Sequence, residues 1–132
     1  MRSKMDFSNH QAIYLQIADY VCDAILAQKW QAEEKIPSVR EMAFNIEVNA
    51  NTVARAYTYL QDQNIIYNKR GLGFYISQDA HVLTTQLKRT QFIKQELPRM
   101  FKYIHQLEIN ISELDQLYSK YLVSKGENNE IK

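Results

Sequence analysis

A mainly helical chain carrying one small β-hairpin is the fold that these 132 residues predict. Apolar residues recur at three- and four-residue spacing through most of the chain. Two short runs rich in β-branched and aromatic residues, Ile65-Ile66-Tyr67 and Phe74-Tyr75-Ile76, flank a glycine-containing loop. Only 3 Gly and 2 Pro interrupt the pattern, and 45% hydrophobic with 23% charged residues is the balance of a chain that buries a core. The length suits one compact domain with an appendage, not a large second ligand-binding domain.

The first helix is expected from His10 to about Gln28, because Ile13, Ile17, Tyr20, Val21 and Ala24 share one face. Leu15, Ala18, Cys22, Ile25 and Leu26 widen that face and leave Gln16, Asp19 and Asp23 as a narrow polar strip, so the helix should touch more than one apolar neighbour. A polar turn containing Trp30 follows. Ser38 and Glu41 then form the two ends of a capping box opening a short second helix, with Val39, Met42, Ala43 and Ile46 inward and Arg40 outward. Glu47-Val48 is a turn, and Asn49 is the N-cap of a third helix with Val53, Ala56, Tyr57 and Leu60 buried. Its other face carries Asn51, Thr52, Arg55 and Thr58, and small Ala50 and Ala54 would allow close approach of a partner. Two short helices joined by a tight turn make a helix-turn-helix. The hairpin around Lys69-Arg70-Gly71-Leu72-Gly73 adds a wing, so residues 8–78 read as a winged helix-turn-helix domain.

From Asp79 the helical pattern returns through Leu83, Leu87, Phe92 or Ile93, and Leu97. Pro98 should kink or break it, since proline lacks a backbone donor and clashes with the preceding turn. Phe101, Ile104 and Leu107 continue the pattern, and Asn110 with Glu113 resembles a second capping box before Leu114, Leu117, Tyr118, Tyr121 and Leu122. About fifty helical residues cannot easily enclose a ligand pocket alone but can pair with a symmetry mate. Residues 79–123 are therefore expected to form a helical dimerisation tail through Leu83, Leu87, Ile93, Leu97, Leu114, Tyr118 and Tyr121, with 124–132 as a polar, disordered C-terminus. A small effector between two tails is the competing reading, and no residue identifies one.

The lone Cys22 excludes an intramolecular disulfide and a cysteine-rich metal site, and its place on the broad apolar face reads as a buried small side chain rather than a reactive thiol. No signal peptide or membrane span is recognisable, which predicts a soluble, cytoplasmic protein. His10, His81 and His105 are scattered, with no HExxH motif, no phosphate loop and no cofactor signature, so neither an enzyme nor a metal site is expected. Net charge is only +1, and residues 1–78 carry eight basic and eight acidic side chains, so any basic surface must arise by placement.

A helix-turn-helix presents the N-terminal part of its second helix to base edges in the major groove of DNA. Asn49, Asn51, Thr52 and Arg55 occupy that part; Asn suits adenine, Arg suits guanine, and Thr suits a thymine methyl or a phosphate. Arg40, Lys69 and Arg70 are placed to neutralise phosphates. A winged helix used for protein contact, without sequence-specific DNA binding, is the alternative with which the near-zero charge is compatible.

The blocks Ala12-Ile13-Tyr14-Leu15-Gln16-Ile17, Ile36-Pro37-Ser38-Val39-Arg40-Glu41-Met42-Ala43, Asn51-Thr52-Val53-Ala54-Arg55-Ala56-Tyr57 and Arg70-Gly71-Leu72-Gly73-Phe74 together resemble the GntR family of bacterial transcription regulators over residues 10–77. The resemblance implies a homodimer on an inverted repeat, usually as a repressor, with Ser38, Arg40, Asn49, Asn51, Thr52, Arg55 and the wing residues Lys69, Arg70, Gly71 and Gly73 at the DNA. Val48 to Val53 is similar to the YtrA-like branch, whose members carry a short helical tail. Two positions depart from the family pattern: Glu33 stands where Gly is common, and Ala50 where Arg or Pro is common.

Overall fold

The computed structural model describes residues 11–131, with side chains through residue 126. His10, the expected start of the first helix, and residues 8–10 of the expected domain lie outside the described residues. The chain divides into two compact units after Lys88.

The N-terminal unit contains α1 (Ile13–Leu26), α2 (Val39–Ile46), α3 (Ala50–Asp62), the strands β1 (Ile66–Lys69) and β2 (Gly73–Ile76), and most of α4 (Ala80–Gln91). Ile17, Val21 and Ile25 of α1 meet Met42 and Ile46 of α2, Val53, Tyr57 and Leu60 of α3, and Ile65, Ile66 and Ile76 of the hairpin in one core. The capping box at α2 is complete: the Glu41 backbone N–H donates to Ser38 Oγ (3.1 Å) and the Ser38 backbone N–H to Glu41 Oε1 (2.9 Å). Glu47 closes α2 in the left-handed conformation, and Asn49 caps α3 by accepting from the Asn51 backbone N–H (2.7 Å). The buried Tyr57 hydroxyl donates to the Pro37 carbonyl (2.6 Å), tying α3 to the segment that enters α2. Leu83 and Leu87 of α4 are half-buried and pack against this same core, where the sequence had assigned them to a dimer contact.

Two parts of this unit differ from the sequence expectation. Gln16 is buried, not part of the polar strip, because its amide finds a partner in donating to the Gln11 carbonyl (2.8 Å). The strip that remains, Asp19 and Asp23, receives Lys88 at 3.4 Å from each. The polar turn between α1 and α2 also adds backbone pairing to the hairpin. Glu33 N–H donates to Ile76 O, Ile76 N–H to Glu34 O and Ile36 N–H to Phe74 O, at 2.8 to 3.0 Å, with Lys35 opposite Tyr75. A run of Gln, Ala, Glu and Lys has weak strand propensity, but main-chain pairing does not require it.

In the C-terminal unit, α4 gives way to a π-helical turn over Phe92–Glu96 and then α5 (Leu97–Gln106); after a left-handed Glu108, α6 covers Ile111–Ile131. Pro98 therefore does not break the helix. The widened turn ahead of it, in which Leu97 N–H donates to Phe92 O, accommodates a ring that an ordinary α-turn would clash with. Asn110 Oδ1 accepts from the Glu113 backbone N–H (2.7 Å), as the second capping signal predicts. Helical backbone continues into the segment 124–132 expected to be disordered; residue 132 and the side chains of 127–131 lie outside the described residues.

Candidate nucleic-acid interface

The N-terminal turns of α3 define the first part of the site. Burial of Val53, Ala56 and Tyr57 fixes the rotation of α3 and leaves Asn51 and Arg55 exposed, with Thr52 half-buried. Asn49 is exposed at the cap; its side-chain oxygen is committed to the helix, and its amide N–H groups remain as donors. The Arg55 guanidinium lies over the ring of Tyr14 at 4.0 Å, and that ring meets Tyr59 edge-on.

Arg40 is exposed in the first turn of α2, next to the capping box. Ser38 Oγ accepts within the box. Hydrogen bonds from the Ser38 backbone N–H and side chain hold the Glu41 carboxyl below the ordinary glutamate value.

The wing forms the third part. Register pairs Ile66 with Ile76, Tyr67 with Tyr75, Asn68 with Phe74 and Lys69 with Gly73, leaving Arg70-Gly71-Leu72 as the tip. Gly71 (φ +79°) and Gly73 (φ +112°) adopt conformations that side chains rarely take, so their first role is to shape the turn. A Cβ on Gly73 would stand 3.1 Å from the Lys35 side chain. Arg70 is exposed at the tip, and Lys69 Nζ sits 4.4 Å above Tyr75, itself stacked on Tyr67. Tyr67 donates its hydroxyl hydrogen to Glu33, which holds a left-handed backbone (φ 69°) where glycine would be the unstrained choice.

Every residue that the sequence assigned to DNA therefore lies in the N-terminal unit, and none is buried. Three contributors were not foreseen: Tyr14 and Tyr75, on which two of the cations rest, and Lys35, brought to the wing by the added backbone pairing. The first two depend on partners 41 and 6 residues away in sequence, which no local pattern reveals. Among the described residues there is no cluster of three or more His, Cys, Asp or Glu that could hold a metal ion, and no helix long and apolar enough to cross a membrane.

Residues assigned to dimerisation are split. Leu83 and Leu87 belong to the N-terminal unit, whereas Ile93, Tyr118 and Tyr121 are exposed and Leu97 and Leu114 half-exposed in the C-terminal one. Tyr118 and Tyr121 stack on each other (6.4 Å, 16°) beside exposed Leu117 and Leu122.

The family of bacterial regulatory proteins known as gntR matches residues 13–76. The HTH-type transcriptional repressor YtrA of Bacillus subtilis is 33% identical over 113 residues, 86% of this chain and 86% of that one. The transcriptional regulator YhcF of the same organism is 36% identical over 77 residues, 58% of this chain and 64% of YhcF, so the chain spans just under two thirds of that relative's length. A crystal structure of a GntR-family transcriptional regulator from Bacteroides thetaiotaomicron superposes with a TM-score of 0.72 at 46% identity, covering 86% of this chain and 99% of that one.

Proposed function

The chain belongs to the GntR family of bacterial transcription regulators, on its YtrA-like branch, and from that premise we propose that it is a cytoplasmic repressor that binds an inverted-repeat operator as a homodimer. The observation that carries this reading is the exposed face of α3: Asn51, Thr52 and Arg55 stand together at the helix start while the opposite face is locked in the core. A planar guanidinium and a carboxamide read guanine and adenine edges by paired hydrogen bonds. Arg40, Lys69 and Arg70 supply charge for phosphates, with Gly71 and Gly73 letting the wing backbone approach a groove. Since the bulk charge is nearly neutral, this placement has to supply the attraction.

Dimerisation is supported by the C-terminal unit, where large apolar side chains are exposed among the described residues. Two-fold pairing there would present two α3 helices to major grooves roughly 34 Å apart. Repression is favoured by the name of the YtrA relative. The role is regulatory, not enzymatic, and needs no cofactor.

The test is fluorescence anisotropy on duplexes from the region upstream of the protein's own reading frame, with footprinting of the bound region. Arg40, Lys69 and Arg70, each neutralising one phosphate, give a slope of log K against log salt of roughly −5 for the dimer. Two protected half-sites about one helical turn apart are expected. No binding, or a slope shallower than about −2, would instead favour a winged helix used for protein contact.

A further inference from the structure

Arg55 is held against an aromatic ring before any DNA arrives. Arg55 and Tyr59 stand four residues apart on α3, and Tyr14 reaches from the first turn of α1 to meet both: it lies under the guanidinium at 4.0 Å and against the edge of Tyr59 at 6.3 Å, with an interplanar angle of 73°. Tyr14 is itself half-buried against the core, so its ring has little freedom to move. Among the described residues no carboxylate forms an ion pair with Arg55.

The kind of restraint matters. A carboxylate partner would cancel the positive charge, occupy the N–H donors and have to be displaced by DNA. An aromatic ring engages only the flat face of the guanidinium and leaves the N–H edge, with its full charge, pointing away. We propose that Tyr14 is a positioning residue for DNA recognition, a seat that keeps the Arg55 guanidinium oriented so that its donor edge meets the operator without first being ordered. This rests on the reading of Arg55 as a DNA contact, and adds that recognition proceeds with the stack intact. Arg55 is long and otherwise flexible, so a seat that limits its rotamers lowers the entropy lost on binding.

The experiment is a double-mutant cycle on the footprinted duplex, with Tyr14→Leu, Tyr14→Phe, Arg55→Ala and the Tyr14→Leu/Arg55→Ala pair. Losing a seat of cation–π strength should weaken binding about 2- to 5-fold per half-site, hence roughly 4- to 25-fold for a dimer. Tyr14→Phe keeps the ring and should restore affinity relative to Tyr14→Leu. In the Arg55→Ala background Tyr14→Leu should cost nothing further. Tyr14→Leu binding as tightly as the parent, or more tightly, overturns the proposal, as does a loss that persists once Arg55 is gone. If Arg55→Ala alone has no effect, the assignment of Arg55 to DNA fails and the seat falls with it. Should Tyr14→Leu melt before it can be assayed, NMR of the unaltered protein decides. The Arg55 side-chain protons should be shifted upfield by the Tyr14 ring and stay so on the duplex; loss of that shift on binding overturns the proposal.

Discussion

Helices α1 and α5 both carry apolar residues at helical spacing, broadly in α1 and on a narrower face in α5, and they meet opposite fates. In α1, Ile17 and Val21 are completely covered and Ile25 nearly so, because α3 and the hairpin close over them. In α5 no side chain is buried, and Phe101, Tyr103 and, just beyond, Leu107 each keep half or more of their surface exposed. The difference shows what periodicity can and cannot say. It marks the face that must leave water but is silent on what covers it. The N-terminal unit finds its cover within its own chain. Among the described residues the C-terminal unit does not cover its own apolar faces, so it either tolerates an apolar surface larger than monomers usually show or obtains cover from outside the unit, which a second chain would supply.

The largest effect should come from removing the uncovered unit. A chain ending at Lys88 is expected to stay folded, sediment as a monomer and lose about 10²- to 10⁴-fold in affinity for a full operator while binding an isolated half-site almost as before. Analytical ultracentrifugation with anisotropy measures both. A full-length monomer, or a shortened chain that still holds the full operator tightly, would break the comparison, because the exposed faces would then have no dimer to account for them.

Where the shortening falls matters next. Ala80 and Thr84 are buried and Leu83 and Leu87 half-buried in the N-terminal unit, so ending the chain at Ser77 strips cover from Ile25, Ile76 and their neighbours. Loss of this apolar burial should lower stability by about 3 kcal/mol relative to the chain ending at Lys88. Urea melts of the two shortened chains test it. Equal midpoints would mean that α4 belongs with the tail and not with the core.

Local signals in the sequence were legible; distant ones were not. The Ser38/Glu41 box, the Asn49 cap and the half-box at Asn110 each complete themselves within four residues, so their atoms are close whatever the fold does. The hairpin was equally plain, since two glycines at positive φ allow little else between those strands. By contrast, Gln16 became buried through one carbonyl, and Glu33 to Ile36 acquired strand pairing only because β2 lies alongside. The proline at 98 announced a disturbance but not its form: widening one turn keeps the helix running, where a break would leave several carbonyls unpaired. For the candidate site, the exposed face of α3 followed from its apolar stripe, whereas the tyrosine seats required the tertiary fold.

A smaller effect separates the covered core from the rest through a single atom. Tyr57 is 1% exposed, and its hydroxyl spans from α3 to the Pro37 carbonyl. Tyr57→Phe keeps the ring contact with Phe74 but leaves that carbonyl unpaired. A loss of about 1 to 2 kcal/mol is expected in the chain ending at Lys88, read from its urea midpoint. Dimer dissociation of the full chain should not change, since no part of this contact lies beyond residue 88. A shift in dimer affinity would show that the two units are coupled through the segment that enters α2.

The subtlest distinction is in alkaline solution and resides in Cys22. Burial pushes this thiol from 9.0 up to about 12, and the nearby Lys88 ammonium only partly offsets it. A thiol whose folded value is raised holds its proton more tightly when folded, so its contribution is complete below pH 9 and is lost as pH rises from 9 toward 12. Tyr57, also raised by burial, acts in the same direction from a higher starting point near 10. For Lys88, burial would lower the ammonium, but Asp19 and Asp23 outweigh it, and the net rise again removes stability only at still higher pH. Tyr67, raised by its hydrogen bond to Glu33, adds to the loss from the same starting point as Tyr57; between pH 9 and 10 the largest single share of the slope should therefore belong to Cys22, at about 1 kcal/mol over that interval. Cys22→Ala lowers stability at every pH by leaving a small void, so the level is not informative; the slope is. It should be clearly shallower between pH 9 and 10 in the variant than in the parent, both measured on the chain ending at Lys88 so that dimerisation does not enter. An unchanged slope would mean that water reaches Cys22 readily, and that the cover over α1 is looser than its contacts with α3 and α4 indicate.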